Sequence, residues 1–324
     1  MSNPRYPLVL LPTPCHRLDR ASAILGVELW IKRDDLTGFA GGGNKGRKLE
    51  YLIGQALADG IEVIVSCGAL QSNFLRQLAA ACSCAGIHAV AVVMEEPFEY
   101  GPAPFEGIGR ENGNVRLDQL FGLEMVEIEN NTWDHLFDEM ERVASEFESR
   151  GKKVMRIPVG GSAWQGAYAF AEAAEEVREF GFDEIIFASS SGSTQVGLAY
   201  AFAGSPTKIT GIACDPEPEL PNDFANLAAD LDAALGRSVG LQASDFHFDL
   251  GYVGDGYGIP SEAGNEALTW LARTEGILLD PVYSAKAFSA IIDRAKRDEL
   301  PGKILFWHTG GVPALFADHP SGVN

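Results

Sequence analysis

Basic side chains are scarce in this 324-residue sequence, which has 25 lysines and arginines against 45 aspartates and glutamates. The formal net charge is -20, and the chain has no long basic cluster. A protein that binds nucleic acid or an anionic membrane surface needs a positive patch to neutralise phosphates. We therefore expect neither nucleic acid nor a membrane as a partner.

Long apolar runs are also absent. No stretch approaches the roughly 20 residues of a membrane-spanning helix, and residues 8–11 are too few for the core of a signal peptide. The 5 cysteines have neither a disulfide-framework nor a zinc spacing, and the 6 histidines share no metal-ligand spacing. We expect a cytoplasmic protein that binds no metal ion.

One lysine follows a run of glycines, in the order Gly42-Gly43-Asn44-Lys45. Glycine lets the backbone adopt positive φ and approach a flat ligand, and Asn44 is a good N-cap for the amphipathic helix predicted over 44–59. Lys45 would then lie in the first helical turn, where the positive end of the dipole disfavours an ammonium. An amine with a lowered pKa suits Schiff-base chemistry. Taken alone, the pattern also fits a surface lysine on a glycine-rich turn.

Two further turns, each between a predicted strand and a predicted helix, are rich in hydrogen-bond donors. One follows the apolar strand at 184–187 and suits a phosphate, although it has neither the lysine of a P-loop nor dinucleotide-type glycine spacing. The other follows the strand at 63–65, and its Ser72 and Asn73 suit a carboxylate. The residues of the predicted phosphate turn are Ser191, Gly192, Ser193, Thr194 and Gln195, and the turn at 160–162 is the rival site. An amine, a phosphate site and a carboxylate site together indicate a pyridoxal 5'-phosphate (PLP) enzyme that acts on an amino acid.

Predicted strands and helices alternate along the chain, which indicates parallel sheets covered by helices. The predicted strands are 27–32, 63–66, 89–94, 125–128, 153–157, 185–188, 209–213 and 304–307. The predicted helices are 44–59, 73–85, 133–149, 164–179, 193–202, 222–235, 262–274 and 285–297. The proline-containing segment 95–113 is predicted to be a surface loop.

These motifs resemble the family of D-cysteine desulfhydrase and 1-aminocyclopropane-1-carboxylate (ACC) deaminase, a branch of the tryptophan synthase β type (fold type II) of PLP enzymes. The resembling segments are 11–14, 31–35, 42–50, 71–73, 157–162, 191–197, 256–260, 279–286 and 308–311. The resemblance implies an α/β fold with two open, mostly parallel sheets and PLP in the cleft between two domains. A small domain of residues 48–157 would be inserted into a large one of residues 1–47 and 158–324. We also expect a homodimer.

The resemblance implies roles for individual residues. Lys45 would hold the PLP covalently, Asn73 would lie along its ring, and the Ser72 turn would bind the substrate carboxylate. The implied cofactor-binding residues are Asn44, Lys45, Asn73, Ser191, Gly192, Ser193, Thr194, Gln195, Tyr283 and Ser284. The implied catalytic residues are Lys45, Ser72, Tyr257 and Tyr283, and the implied substrate-binding residues are Ser72, Asn73, Phe74, Leu75 and Tyr257.

Ser284 bears on the reaction, because ACC deaminases have a glutamate at the matching position, facing the pyridine nitrogen. A hydroxyl favours a neutral nitrogen and a weaker electron sink, which is sufficient when a good leaving group departs. We therefore expect α,β-elimination of D-cysteine or a related amino acid to pyruvate, ammonia and sulfide, rather than ring opening.

Two alternatives remain at the level of sequence. Residues 254–260 and 283–286 also resemble L-cysteate sulfo-lyases, which release sulfite. Phe74 stands where desulfhydrase-like members commonly have histidine, and its apolar ring disfavours a sulfonate, so sulfite is the second choice of leaving group. A non-catalytic relative that binds an amino acid or a nucleotide is the alternative from a different class.

Overall fold

A computed structural model describes residues 3–95, 97–98 and 109–317 of the chain. These residues form two β-sheets, one of six strands and one of four, with α-helices packed against them. The prediction of an α/β fold with two open, mostly parallel sheets is confirmed.

The larger sheet consists of β1 (Cys15–Arg17), β2 (Glu28–Arg33), β7 (Glu184–Ser189), β8 (Lys208–Ala213), β9 (His247–Asp249) and β10 (Lys303–His308). Its strand order is β1-β2-β10-β7-β8-β9, and only the β1–β2 pair is antiparallel among these described strands. The carboxyl ends of β7, β8 and β10 therefore lie at one edge, which is where open α/β sheets bind ligands.

The smaller sheet consists of β3 (Val63–Ala69), β4 (His88–Met94), β5 (Glu124–Glu127) and β6 (Val154–Arg156). Its order is β5-β4-β3-β6, and all three pairs are parallel. Every residue of β3 is buried, so this strand is an apolar run covered on both faces, as in other parallel sheets.

The helices are α1 (Asp19–Leu25), α2 (Lys45–Ala58), α3 (Asn73–Ala85), α4 (Gly113–Phe121), α5 (Trp133–Ser149), α6 (Trp164–Ala173), α7 (Ser193–Ala201), α8 (Leu220–Leu235), α9 (Glu262–Glu275) and α10 (Ser284–Lys296). On one face of the smaller sheet, Leu52 of α2 and Leu78 of α3 pack with Ile64. On the other face, Leu136 of α5 packs with Val65. Within the described part of the chain, no helix combines the length and the apolar character needed to cross a bilayer.

Most predicted elements are present, with ends that differ by a few residues. The ranges 73–85 and 133–149 match α3 and α5, whereas the predicted helix 164–179 ends at Ala173 and continues as 3-10 turns. The elements β1, β9, α1 and α4 were not predicted, because strands of three residues and short helices carry too few positions to show an apolar period. Much of the predicted loop 95–113 lies outside the described residues, and its last residue, Gly113, begins α4.

The two sheets draw on different parts of the chain. All strands of the smaller sheet lie between residues 63 and 156, and those of the larger sheet come from both sides of that segment. This distribution supports a small domain at 48–157 within a large one at 1–47 and 158–324. The domain limits themselves stay a prediction.

A buried carboxylate joins the end of β2 to α2. Asp34 is fully buried and accepts hydrogen bonds from Nε and Nη2 of Arg47 (2.9 and 2.8 Å), from Nε1 of Trp307 (2.9 Å) and from Oγ1 of Thr13 (2.8 Å). Burial alone would raise the pKa of Asp34, but the charge and the hydrogen bonds of Arg47 outweigh it and hold that pKa below its usual value. The pair therefore remains ionised in the interior.

We expect Asp34→Ala to reduce the free energy of unfolding by about 3–5 kcal/mol, because it leaves buried donors of Arg47 without their acceptor. Glu146→Ala, which removes one partner of the exposed Arg142–Glu146 pair on α5, is the control and should cost about 1 kcal/mol or less. Urea unfolding of the apoprotein at pH 7 measures both. Since the pKa of Asp34 is lowered by folding, its contribution is present above the unfolded pKa and lost as the pH falls through the folded one. Equal, small losses in both variants would contradict the assignment.

Candidate active site

A cavity of about 550 Å³ lies at the carboxyl ends of β7, β8 and β10. Residues 72–74, which begin α3 of the smaller sheet, line one side, and residues 188–192 and 309–311 of the larger sheet line the other. The predicted site residues that line the cavity are Asn44, Lys45, Ser72, Asn73, Phe74, Ser191, Gly192, Thr194, Tyr257 and Tyr283. Four predicted residues are buried behind its wall, namely Leu75, Ser193, Gln195 and Ser284.

The glycine run before Lys45 is held in a conformation that other residues rarely adopt. Gly42 has φ +78°, and a Cβ there would lie 1.9 Å from the main-chain oxygen of Asp35. Arg76 of α3 fixes the same loop by donating to the main-chain oxygens of Gly42 and Ala40, each at 2.9 Å. These contacts fix the conformation of the loop, which places Lys45 at the cavity.

Asn44 occupies the N-cap position of α2 as predicted, but its side chain makes no capping hydrogen bond. The reason is that its amide is used across the cavity wall. Nδ2 donates to Oγ1 of Thr194 (3.1 Å), and Oδ1 accepts from Nζ of Lys45 (3.1 Å). Asn44 thereby joins the start of α2 to the start of α7 and orients the amine.

Burial is the main cause that lowers the pKa of Lys45, to about 8. The charge of Arg76 lowers the pKa further, while Cys214 and Asp280 oppose the shift. The sequence also predicts a lowered pKa for Lys45, but on the basis of the helix dipole. Desolvation is the stronger effect because the ammonium faces a largely protein-enclosed cavity.

A second lysine, Lys48, lies one turn further along α2 and also lines the cavity. Its Nζ donates to the main-chain oxygen of Gly160 (3.1 Å), and no carboxylate of the described residues forms an ion pair with it. Burial, with the nearby charge of Lys45, lowers its pKa well below the usual value. A buried ammonium without an anionic partner is costly, so this wall fits an anion. In the sequence, Lys48 could have been identified by its position three residues after Lys45, which places both lysines on one face of the helix.

The two candidate phosphate turns touch each other. A Cβ on Gly160 would lie 2.2 Å from Oγ of Ser191, and Oγ of Ser162 donates to the main-chain oxygen of Ser191. Gly192 has φ +98°, and its Cβ would lie 2.4 Å from the ring of Phe224. The predicted turn at 191–195 and its rival at 160–162 thus form one wall, with Lys48 beside it.

The side chain of Gln195 is engaged away from the cavity. Its Oε1 accepts from Oγ of Ser189 (2.5 Å), and its Nε2 donates to the main-chain oxygen of His247 (2.9 Å). The residue therefore ties α7 to the ends of β7 and β9. Only its main-chain N–H can serve the phosphate turn as predicted.

At the start of α3, Ser72 is the N-cap. Its Oγ accepts from the N–H groups of Phe74 (3.2 Å) and Leu75 (3.3 Å). Both residues are among those predicted to bind the substrate. Asn73 Oδ1 accepts from Nη1 of Arg76 (2.7 Å) and from Nδ2 of Asn114 (3.1 Å). With its oxygen held in this way, Asn73 offers its Nδ2 group as the donor to a ligand.

Two tyrosines form a hydrogen-bonded pair in the cavity. The hydroxyl oxygens of Tyr257 and Tyr283 are 2.5 Å apart. Burial raises the pKa of Tyr283 well above its usual value, and Tyr257 and Asp215 add to the effect. The Trp133 ring meets Tyr257 edge to face at a centroid distance of 5.7 Å. Tyr283 therefore stays protonated at neutral pH, and the pair can donate a proton to a ligand.

Ser284 is coupled to a carboxylate that sequence reasoning missed. Its Oγ donates to Oδ1 of Asp280 (2.5 Å) and accepts from the Asp280 N–H (2.7 Å). Asp280 is fully buried, and a Cβ on Gly311 would lie 2.5 Å from its Oδ1. The hydroxyl proton of Ser284 is thus committed to Asp280. The only sequence feature that could have indicated this contact is the spacing of four residues between Asp280 and Ser284, the first residue of α10.

His308 at the end of β10 has a structural role. Its Nε2 pairs with the main-chain oxygen of Leu278 (2.8 Å), and its Nδ1 accepts from the Gly310 N–H (3.2 Å). Across the residues that the structure describes, no three histidine, cysteine, aspartate or glutamate side chains are grouped as metal ligands.

The lowered pKa of Lys45 gives a pH prediction for the apoprotein. Its amine should react with an aldehyde or an amine-selective reagent along a curve with a midpoint near pH 8, since only the neutral form is nucleophilic. Mass spectrometry of labelled peptides measures this reactivity, with exposed Lys152 as the reference for the reagent. A midpoint at the ordinary value of 10.5 would contradict control by burial.

The family model described as "Pyridoxal-phosphate dependent enzyme" matches residues 7–310. The chain is 38% identical, over 327 aligned residues, to the D-cysteine desulfhydrases of Salmonella newport and Salmonella typhi. These alignments cover 98% of this chain and 97% of each relative.

Solved structures agree with the sequence relatives. An ACC deaminase homologue superposes with a TM-score of 0.86 at 32% identity, over 97% of this chain and 93% of that one. A hydrogen sulfide-producing enzyme from Fusobacterium nucleatum has a TM-score of 0.63 at 18% identity, over 93% and 96% of the two chains, and shows the fold alone.

The chemistry of the cavity residues fits PLP independently of these relatives. The Lys45 amine suits its aldehyde, and the buried Lys48 ammonium beside the donor-rich turn at 191–195 suits its phosphate. The family expected from the sequence is confirmed. The chain belongs to the family of pyridoxal-phosphate dependent enzymes, and PLP is its cofactor.

Proposed function

We propose that this chain is a PLP-dependent carbon–sulfur lyase that converts D-cysteine, or a related cysteine-like amino acid, to pyruvate, ammonia and sulfide. The observation that carries the proposal is the shared cavity of Lys45, the Ser72–Asn73 turn and the Tyr257–Tyr283 pair. Relatives that are 38% identical over nearly the whole chain are D-cysteine desulfhydrases, which supports the choice of substrate class.

PLP, when bound, supplies an electron sink that stabilises negative charge at Cα of an attached amino acid. The chain must then move two protons. The Lys45 amine, with a pKa near 8, is suited to accept the Cα proton at neutral to mildly alkaline pH. The Tyr257–Tyr283 pair is suited to give a proton to the departing sulfur, because burial keeps Tyr283 protonated.

The remaining cavity residues would hold the two ligands. We propose that Asn44 orients Lys45, that Asn73 lies along the cofactor ring, and that Ser191, Gly192, Ser193, Thr194 and Gln195 bind the phosphate mainly through main-chain N–H groups. Lys48 would add its charge to that phosphate site. The substrate carboxylate would bind at Ser72 and Asn73, with Phe74 beside it and Leu75 contributing only its N–H group.

We further propose that the enzyme acts in the cytoplasm as a homodimer. Mostly exposed large apolar side chains, such as Leu10, Leu120 and Phe316, are surface that a partner subunit would cover. Sedimentation of the holoenzyme measures the mass directly, and a monomer at micromolar concentration would contradict the dimer.

Lys45→Ala should abolish both turnover and the covalent attachment of PLP, which makes the wild-type protein yellow. Lys48→Ala is the matched control on the same helix face and should keep the covalent link while retaining PLP less tightly, because it loses the proposed phosphate contact and the hydrogen bond to Gly160 but leaves Lys45 in place. The visible absorption spectrum and mass spectrometry of the borohydride-reduced protein measure the two effects. Attachment of PLP to any lysine other than Lys45 would refute the assignment.

Cysteine-like substrates should react faster than ACC by orders of magnitude, since position 284 has a hydroxyl engaged by Asp280 and no carboxylate side chain of its own. Steady-state rates on D-cysteine, L-cysteine, L-cysteate and ACC measured side by side give the test. ACC as the best substrate would show that the argument from Ser284 is wrong. L-Cysteate as the best substrate would show that the argument from Phe74 is wrong, and binding without any turnover would favour the non-catalytic alternative.

A further inference from the structure

Asp215 is a buried carboxylate in the cavity that the proposed chemistry does not use. It lies two residues beyond β8, lines the cavity and is 3% exposed. Ser190 hydrogen-bonds to its side chain, but Oδ1 has no hydrogen-bond partner among the residues that the structure describes. A buried acceptor without a donor is unfavourable, so the cavity wall offers a place for a donor that a ligand brings.

The charge of this wall is strongly negative. The segment from Asp215 to the start of α8 also brings Glu217, Glu219 and Asp223 to the cavity. Among the described residues that line it, the basic side chains are Lys45 and Lys48, and burial disfavours the charged form of each. Lys45 and Lys48 do not compensate Asp215, because Lys45 is assigned to the PLP carbonyl and Lys48 to its phosphate. The charge of buried Lys286, which does not line the cavity, acts on Asp215, but its Nζ donates to the main-chain oxygen of Gly256 (2.8 Å) and forms no ion pair with Asp215.

Asp215 contributes more to this potential than its neighbours do. Glu219 and Asp223 are exposed at the mouth of the cavity, where water and salt screen them. Asp215 lies deep enough to influence Tyr283, so its charge acts in a poorly solvated space. Burial raises the pKa of Asp215 to about 6, and the carboxylate is therefore mostly ionised at neutral pH.

We infer that the substrate carries a positively charged nitrogen beyond its sulfur atom and that Asp215 binds this group. The inference rests on the proposed function, since the Ser72–Asn73 turn on the opposite wall would take the α-carboxylate. A primary ammonium would give Oδ1 of Asp215 a charge-assisted hydrogen bond. A sulfonate or a second carboxylate would meet like charges. The substrate class is thus a cysteine-like amino acid whose sulfur bears an aminoalkyl group, and the product that leaves is then an aminoalkanethiol in place of sulfide.

The reaction of such a substrate balances without an oxidant or reductant. Lys45 removes the Cα proton, the Cβ–S bond breaks with its electron pair on sulfur, and the thiolate takes a proton from the tyrosine pair. Water then releases pyruvate and ammonia from the remaining three-carbon fragment. For S-(2-aminoethyl)cysteine the products are pyruvate, ammonia and 2-aminoethanethiol.

Three thioethers with the same leaving atom test the inference in the holoenzyme. They are S-(2-aminoethyl)cysteine, its uncharged isostere S-propylcysteine, and the anionic S-(carboxymethyl)cysteine, each as both enantiomers. We expect kcat/KM for the cationic substrate to exceed that for the neutral one by at least about tenfold, with the anionic one slowest. A neutral or anionic thioether as the best of the three would overturn the inference.

Inhibition provides a readout that does not depend on elimination. Lysine replaces the sulfur of S-(2-aminoethyl)cysteine by a methylene and cannot eliminate, and norleucine lacks its terminal ammonium. Lysine should compete with D-cysteine at least about tenfold more tightly than norleucine, because only lysine can pair with Asp215. Equal inhibition constants would overturn the inference even if all three thioethers were poor substrates.

Variants assign the effect to Asp215. Asp215→Asn should reduce the cationic-to-neutral ratio about tenfold, and Asp215→Glu should retain part of it, since a carboxylate remains. Asp223→Asn on the exposed rim is the matched control and should change the ratio less than about twofold. An unchanged ratio in Asp215→Asn would overturn the assignment, as would loss of cofactor retention without a change in the ratio.

The two proposals fail in different ways. If neither cysteine nor any thioether yields pyruvate, the proposed lyase is wrong. If cysteine yields pyruvate but the charge of the substituent has no effect on rates or inhibition, the lyase stands and the inference about Asp215 is wrong.

Discussion

The active site depends first on the buried ion pair between Asp34 and Arg47. Arg47 lies two residues after Lys45 in α2, and its guanidinium also pairs with Glu176 at 2.6 Å. Glu176 in turn accepts from the buried Lys32 at 2.5 Å, so alternating charges compensate one another beneath the cavity. The main-chain oxygen of Asp34 accepts from the Gly43 N–H at 2.9 Å, which fixes the glycine loop as well. The position of Lys45 therefore follows from charges that its own side chain never contacts.

A second constraint comes from α3 and connects the two sheets. Arg76 is fully buried and bonds to the glycine loop and to Asn73, and it forms a further contact with Asn114 of α4. Burial lowers the pKa of Arg76 to about 10, and its charge lowers the pKa of Lys45. One side chain thus holds the loop before Lys45 and the residue expected along the cofactor ring, and it also helps to keep the nearby amine neutral.

Local patterns in the sequence were sufficient to predict the helix 73–85, because a helix depends on neighbouring residues. The family followed from resembling segments spread over nearly the whole chain. They could not predict β1 or β9, which are edge strands of three residues defined by their pairing with β2 and β8. They also treated Ser284 as a lone hydroxyl, whereas it donates a hydrogen bond to Asp280, four residues earlier in the chain. The sequence does not distinguish Lys48 and Asp215 from ordinary surface charges. Their proposed roles depend on burial, which removes the two side chains from water.

The cavity that results has opposite electrostatic character on its two sides. The start of α2 brings Lys45 and Lys48, and burial disfavours the charged form of each amine. A neutral Lys45 amine suits an aldehyde, and a phosphate beside Lys48 would stabilise its ammonium form. The segment after β8 brings Asp215, whose pKa burial raises, so that side accommodates a cation or a neutral donor. In a poorly solvated space such a polarity orients a zwitterionic ligand more strongly than shape alone. On the proposed assignments, the attachment of the cofactor and the direction of the substrate both depend on charges that the protein itself leaves only partly compensated.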